Sequence, residues 1–312
     1  MLTHLLNKDD LRSLLMHLAQ PNLGALSLSA GALRGANQWA IAAGLVEPQG
    51  LTTAGTLVAT KDPYLETTVT DWLIHVHLSL SDHRLWKYFI YEFLPNYSSF
   101  TQDELLHSCR EKFTMELPET LRKSVRALLN AYTETEAIAR SKFLSQEKKR
   151  YSSSNPDLSN PYNIGYCLAK VWERDFQSQQ HVLVNEIVDA DVGLTKILGI
   201  TREQLQQQLD LLATHNIIEQ RSAKPHLAGT KSFIKGEAES IYQVHRCWET
   251  SLDLLEKAYE NDLATPNRPL IQSLGALIED GGEVPDFSQF LEWASGLVVL
   301  DGGSKMITNL AS

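Results

Sequence analysis

Between Pro63 and Pro95 the chain carries Tyr64, Leu65, Trp72, Leu73, Ile74, Val76, Leu78, Leu85, Trp86, Phe89, Ile90 and Phe93. So many large apolar side chains in so short a stretch leave no polar face for solvent. A helix that is apolar all round has to be buried, so this text predicts two interior helices, the second opened by Ser81-Asp82. Thr68 and Asp71 stand at capping-box spacing before the Trp72 helix. The rest of the chain must fold around this stretch.

Around it the spacing is mostly helical. Leu11, Leu14, Leu15 and Leu18 recur at helical intervals in a segment opened by Asn7 and stopped by Pro21. From Gly24 to Glu47 the text reads as a short element, a tight turn and a second helix capped by Ser29, with Leu33, Ala36, Ala40 and Ala43 inward. Gly44 ends that helix. Leu45-Val46, the turn Pro48-Gln49-Gly50 and the return Leu51 to Gly55 complete a winged helix-turn-helix layout. Thr101 and Glu104 box a further helix, and Pro118 opens another. Ser145 to Pro161, with Lys148-Lys149-Arg150, Ser152 to Ser154, Pro156 and Pro161, reads as a linker.

After the linker, Ile164 to Arg174 is amphipathic and a second winged-helix layout begins at His181. Val192 to Leu198 forms its first helix and Gly199-Ile200 its turn. Thr201 caps a helix to Thr214 with Leu205, Leu209 and Leu212 inward, and a strand follows from Ile217, with a wing at Lys224 to Gly229. From Ala238 the text reads as helical and acidic, with a turn at Gly302 to Ser304. The expected architecture is therefore mainly α. A winged-helix-like domain occupies 1–60, a helical domain 61–144, a linker 145–161, a second winged-helix-like domain 162–235 and an acidic helical region 236–312.

Charge sharpens this division. The net charge is −10, and residues 236–312 alone hold 13 acidic against 4 basic side chains. The net charge argues against indiscriminate nucleic-acid binding, and the two expected reading heads are neutral. No apolar run approaches the roughly 20 residues a membrane helix needs. The text Met1 to Arg12 has no signal-peptide core. Cys109, Cys167 and Cys247 are widely spaced, without zinc-site pairing, as suits a reducing cytoplasm.

No catalytic constellation stands out. There is no phosphate-binding loop, dinucleotide fingerprint or nucleophile elbow, so neither an enzyme nor a cofactor is expected. Gly302-Gly303-Ser304 lacks the helix and lysine of a phosphate cradle. His75 and His77 suggest a metal, with His83 nearby, but two positions apart on a helix point roughly 200° apart and cannot face one ion. The DNA-contact candidates are Arg34, Asn37 and Gln38 on the first recognition helix, flanked by Ser27 and Ser29. To these are added Arg202 on the second, beside Gln204, Gln207 and Gln208, and the linker cations Lys148, Lys149 and Arg150. Such side chains donate to phosphates and base edges. The same faces also suit an ordinary solvated surface or a protein contact, particularly where Glu203 and Asp210 flank Arg202.

The segments Gly44-Leu45-Val46, Leu51-Thr52-Thr53-Ala54-Gly55, Asp62-Pro63-Tyr64-Leu65-Glu66 and Trp72-Leu73-Ile74-His75 resemble a bacterial family catalogued as domain of unknown function 4007. Phe100 to Leu105 resembles a further element, so the likeness spans roughly residues 24–220. Arg34 falls at a basic position of that family, whereas Ala30 stands where relatives tend to carry lysine. The aromatic- and histidine-containing opening of the family is absent here. The resemblance implies an accessory protein of prokaryotic antiviral-defence loci that neighbour DNA-phosphorothioation genes. It would bind or target DNA while a co-encoded enzyme or ATPase supplies chemistry. The alternatives are a scaffold without DNA contact and a transcriptional regulator.

Overall fold

Helix caps set most of the boundaries in this structure, a computed structural model that describes residues 1–23, 25–189, 193–222 and 242–262. Asn7 accepts the Asp10 N–H at 2.9 Å and starts α1 (Lys8–Ala19). Ser29 accepts the Ala32 N–H and starts α2 (Ala30–Ala42). Gly44, at φ 67°, closes α2 with N–H bonds from Gly44 to Ile41 and from Leu45 to Ala40. This left-handed closure satisfies the last helical carbonyls.

A hairpin of two-residue strands follows, β1 (Val46–Glu47) and β2 (Gly50–Leu51). Thr52 then accepts the Gly55 N–H at 2.9 Å and caps α3 (Thr53–Lys61). The text Thr52 to Gly55, expected as a return strand, is thus a helix start.

The apolar stretch becomes α4 (Thr68–Leu80) and α5 (Arg84–Lys87), the latter running into a π-helical turn at Tyr88–Phe93. Trp72, Leu73, Ile74, His75, Val76 and Leu78 are all buried, so α4 is enclosed on every side. Its cap is Thr67, one residue before the expected one. Asp71 is instead buried against Lys8 of α1, with a second bond from the Arg140 N–H at 3.1 Å. Burial outweighs the neighbouring cations and raises the Asp71 carboxyl to about 6.

Strand β3 (Ser99–Thr101) leads into α6 (Gln102–Lys112) through the Thr101–Glu104 capping box. Pro118 opens α7 (Pro118–Thr133). Strands β4 (Leu144–Glu147) and β5 (Arg150–Ser153) then form a hairpin that pairs back onto β3, with Phe100 opposite Tyr151. Next come α8 (Pro161–Asp175), β6 (His181–Leu183), α9 (Val184–Asp189), α10 (Leu194–Leu198) and α11 (Arg202–Thr214). The described part ends with β7 (Ile218–Ser222), β8 (Tyr242–Arg246) and α12 (Ser251–Glu260). β8 lies between β6 and β7, antiparallel to both.

The expectation of a mainly α chain is therefore corrected. Among the described residues eight strands make three antiparallel sheets, and the fold is mixed α and β. The supposed linker holds β4 and β5, and the supposed all-helical region from 236 holds β8. The winged-helix layout of the first segment is not shown: its strands span two residues each and α3 follows at once. For the second segment, the wing expected at 224–229 lies outside the described residues, as does the turn at 302–304. Met1–Leu263 forms one unit, and one hydrophobic cluster runs through it from Leu2 to Tyr259. Among the described residues no helix is long and apolar enough to cross a membrane.

Candidate nucleic-acid interface

Two separate surfaces carry the expected contact residues. On α2, Ser27 and Arg34 are exposed, and Arg34 makes no ion pair among the described residues. Ser29 is spent as the cap. The Asn37 amide turns back to the Leu33 carbonyl at 3.0 Å, while Gln38 Oε1 is buried with no hydrogen-bond partner among the described residues. Arg34, Gln38 and Ile41 recur at positions i, i+4 and i+7, so they share one helix face. Ile41 is 62% exposed, which gives that face an apolar edge beside a free guanidinium.

The second surface is the β4–β5 hairpin. Lys148 occupies its turn at φ 56°, and the Gln146 amide donates to the Lys148 carbonyl at 3.0 Å. Lys148 and Lys149 are exposed and form no ion pair among the described residues. Arg150 is held from behind, donating from Nε to Ser99 Oγ at 2.9 Å and from an Nη to the Ser99 carbonyl at 3.1 Å. Pairing with β3 fixes the hairpin, so its ammonium groups project from an ordered scaffold.

The base of this hairpin meets the α10–α11 turn. Gly199 sits at φ 67°, and a Cβ there would lie 2.9 Å from the Phe143 ring. Phe143 also packs on His75 with ring centroids 4.4 Å apart. Lys142, itself at φ 53° and exposed, stands beside Phe143. Lys196, on α10, is half-buried. The sequence reading missed both lysines, because only the fold brings residues 142 and 196–202 into one neighbourhood.

Arg202 is exposed at the start of α11 and bonds to Asn185 Oδ1 of α9. Beside it, Glu203 accepts a backbone N–H and a Thr201 bond, which lowers its pKa. An ionised carboxylate at the helix start occupies the place where an anion would dock. Gln204 closes the Thr201 capping box, and Gln208 Oε1 is buried with no partner among the described residues. Gln207 remains exposed. The hairpin is thus the better phosphate donor of the two neighbouring elements.

The imidazoles of α4 are engaged elsewhere. His75 Nε2 donates to the Ile197 carbonyl at 2.7 Å, which leaves Nδ1 to accept the Tyr132 hydroxyl at 2.7 Å. Tyr132 in turn accepts the Trp86 indole N–H at 3.0 Å. His77 meets the Tyr166 hydroxyl at 2.8 Å on α8. The two rings therefore face different neighbours, as their spacing on a helix requires. Burial lowers both imidazole pKa values to about 4. Among the described residues no group of three His, Cys, Asp or Glu is placed to hold a metal ion.

The fold has solved counterparts. A crystal structure titled SspB with bound magnesium ion superposes with a TM-score of 0.62, and a second titled SspB with 0.60. Each is 14% identical and covers 85% of this chain and 88% of its own. No curated protein matches the sequence. The profile of a family described as protein of unknown function (DUF4007) matches residues 35–242, most of the chain, and the chain belongs to that family.

Proposed function

We propose that this chain is a non-catalytic DNA-binding accessory subunit of a prokaryotic antiviral-defence or phosphorothioation-linked DNA-modification system. It grips the phosphate backbone while a co-encoded enzyme or ATPase supplies the chemistry. The observation that carries this reading is the ordered hairpin with Lys148 and Lys149 at its tip, unpaired among the described residues, and Arg150 braced on Ser99. In a chain of net charge −10, an exposed basic projection is where a polyanion can approach. On α2, Arg34 and Gln38 offer a second donor set, with Ile41 beside them for apolar contact to a base edge.

The test is DNA binding by the full chain and by Lys148→Ala/Lys149→Ala at two salt concentrations. Each ammonium that meets a phosphate adds about 0.9 to the slope of log affinity against log salt, so the double variant should lower it by about 1.8. Arg34→Ala should weaken binding about ten- to a hundredfold. Both assays include magnesium, the ion in the SspB title; turnover of DNA that one substitution in this chain abolishes would overturn the non-catalytic reading. An unchanged slope in a folded double variant would remove the hairpin from the interface.

A scaffold reading is favoured by a different feature. Met115 and Leu117, in the α6–α7 connection, are 93% and 71% exposed, an apolar projection that suits a protein contact. Met115→Ser/Leu117→Ser should then abolish capture of a co-encoded partner and leave DNA affinity unchanged.

A further inference from the structure

The start of α8, the α11–β7 turn and the β8–α12 connection surround a cavity of about 490 Å³. That volume lies in the range of small-ligand sites. Tyr162 and His215 form one wall, with their rings edge-on at 5.8 Å. Trp248, itself braced edge-on by Trp172 at 5.4 Å, forms another.

Carboxylates dominate the rest of the lining. Glu249, Asp253, Glu256 and Glu260 all line the cavity, and Lys257 is the one lysine or arginine among the lining residues. Lys61 of α3 pairs with Glu256 at 3.1 Å and Glu260 at 3.3 Å. Glu249 and Asp253 have no ion pair among the described residues, and Asp253 accepts only the Thr250 N–H of its own cap, at 3.0 Å. Two carboxylates therefore remain without a cation beside an aromatic wall.

One cation already shows how that wall works. Lys257 Nζ lies 6.0 Å above the Tyr162 ring centroid, and an electron-rich ring face attracts ammonium and guanidinium groups. We infer that the cavity binds a monovalent organic cation, an alkyl guanidinium or ammonium, against Tyr162 and between Glu249 and Asp253. A phosphate or carboxylate ligand would meet like charge there. A metal ion is disfavoured by the absence, among the described residues, of three ligands close enough to share one. The guanidinium is the better fit, because its flat face stacks on a ring while its N–H groups fork to a carboxylate. This site is independent of the hairpin and of the DNA reading.

The probe is N-acetyl-argininamide, whose single charge is the guanidinium, titrated into the full chain by calorimetry. Its neutral ureido isostere, N-acetyl-citrullinamide, runs in parallel. Saturable binding is expected for the first, at least tenfold weaker binding for the second, and at least fivefold weakening by Glu249→Gln. Glu249 is exposed and makes no internal bond among the described residues, so that variant keeps the fold, which a thermal melt confirms. Tyr162→Leu provides a second variant and should weaken the guanidinium probe while sparing overall stability. An arginine-centred heptapeptide separates the sources. Binding at least tenfold tighter than the amide identifies a segment of a partner protein, and equal binding identifies a small cation. No saturation by about 10 mM, equal binding of the citrulline isostere, or no effect of Glu249→Gln would overturn the site.

Discussion

Two buried neutral imidazoles make this fold acid-sensitive in a calculable way. His75 and His77 have pKa values lowered by burial from 6.5 to about 4. Both therefore stay neutral in the folded chain at pH 5, where the unfolded chain binds protons on them. For a base with a depressed folded pKa, the stability is present above 6.5 and is lost as pH falls towards 4. At about 1.4 kcal/mol per pK unit, each imidazole removes close to 2 kcal/mol between pH 7 and pH 5. Asp71 acts the other way, because its carboxyl is raised from 3.8 to about 6. Its contribution is present below 3.8 and is lost as pH rises through 6, so the same acidification returns a little over 1 kcal/mol. For these three groups together the loss is roughly 2–3 kcal/mol, a large share of a typical folding free energy. Urea denaturation at pH 7 and pH 5 measures it. Comparison with His77→Gln isolates one imidazole, since the other titrating groups are common to both chains. The variant should lose about 2 kcal/mol less on acidification. Identical pH dependence in the two chains, or an imidazole titrating near 6.5 in the folded protein, would refute the reasoning.

Gly199→Ala should destabilise the chain by about 1–3 kcal/mol, since φ 67° disfavours a side chain and the new Cβ meets Phe143 at 2.9 Å; an unchanged urea midpoint would contradict this. Native-state thiol labelling should mark Cys247 first, because it is exposed whereas Cys109 and Cys167 are buried with thiols pushed up to about 12. Equal rates at all three would mean that the described burial is wrong.

The parts legible in the sequence are those that local chemistry decides. Asn7, Ser29, Thr101 and Thr201 each cap the helix expected of them, because a cap needs only a side-chain oxygen and the next three residues. The β4–β5 hairpin was hidden for the opposite reason. Only Leu144 and Tyr151 of its eight strand residues are buried, so no alternating apolar pattern announces it. Its partner, β3, lies some fifty residues earlier, with Ser99 opposite Ser152. Thr52 misled because a cap and a strand residue share the same amino acid, and only the Gly55 N–H decides between them. The cations were visible, but whether each was free or already bonded was not. Arg202 is tied to Asn185, while Lys148 and Lys149 are unpaired among the described residues. The cavity was the least legible feature, since Tyr162, His215 and Glu249 come together only through the packing of α8, α11 and α12.

The acidic C-terminal stretch can be tested by truncation, and the fold decides where to cut. Removing everything from 236 would strip β8 and α12 from the core, where Val244, Leu254, Leu255, Ala258 and Tyr259 are buried. It would also break the bonds from Tyr259 to Thr70 at 2.9 Å and from Asn160 to the Ala258 carbonyl at 2.7 Å. A cut after Asp262 spares all of these. It removes Glu279, Asp280, Glu283, Asp286, Glu292 and Asp301 against Arg268 and Lys305, a net of −4 taken from the chain's −10. If those charges weaken approach to a phosphate backbone, residues 1–262 should bind non-specific DNA more tightly than the full chain. The gain should be largest at low salt and should shrink as the screening length falls from about 30 Å at 0.01 M to about 8 Å at 0.15 M. Charge repulsion predicts that salt trend, whereas steric blocking by the removed segment predicts a gain independent of salt. A folded 1–262 chain whose DNA affinity matches or falls below that of the full chain at low salt would show that the acidic stretch does not oppose binding.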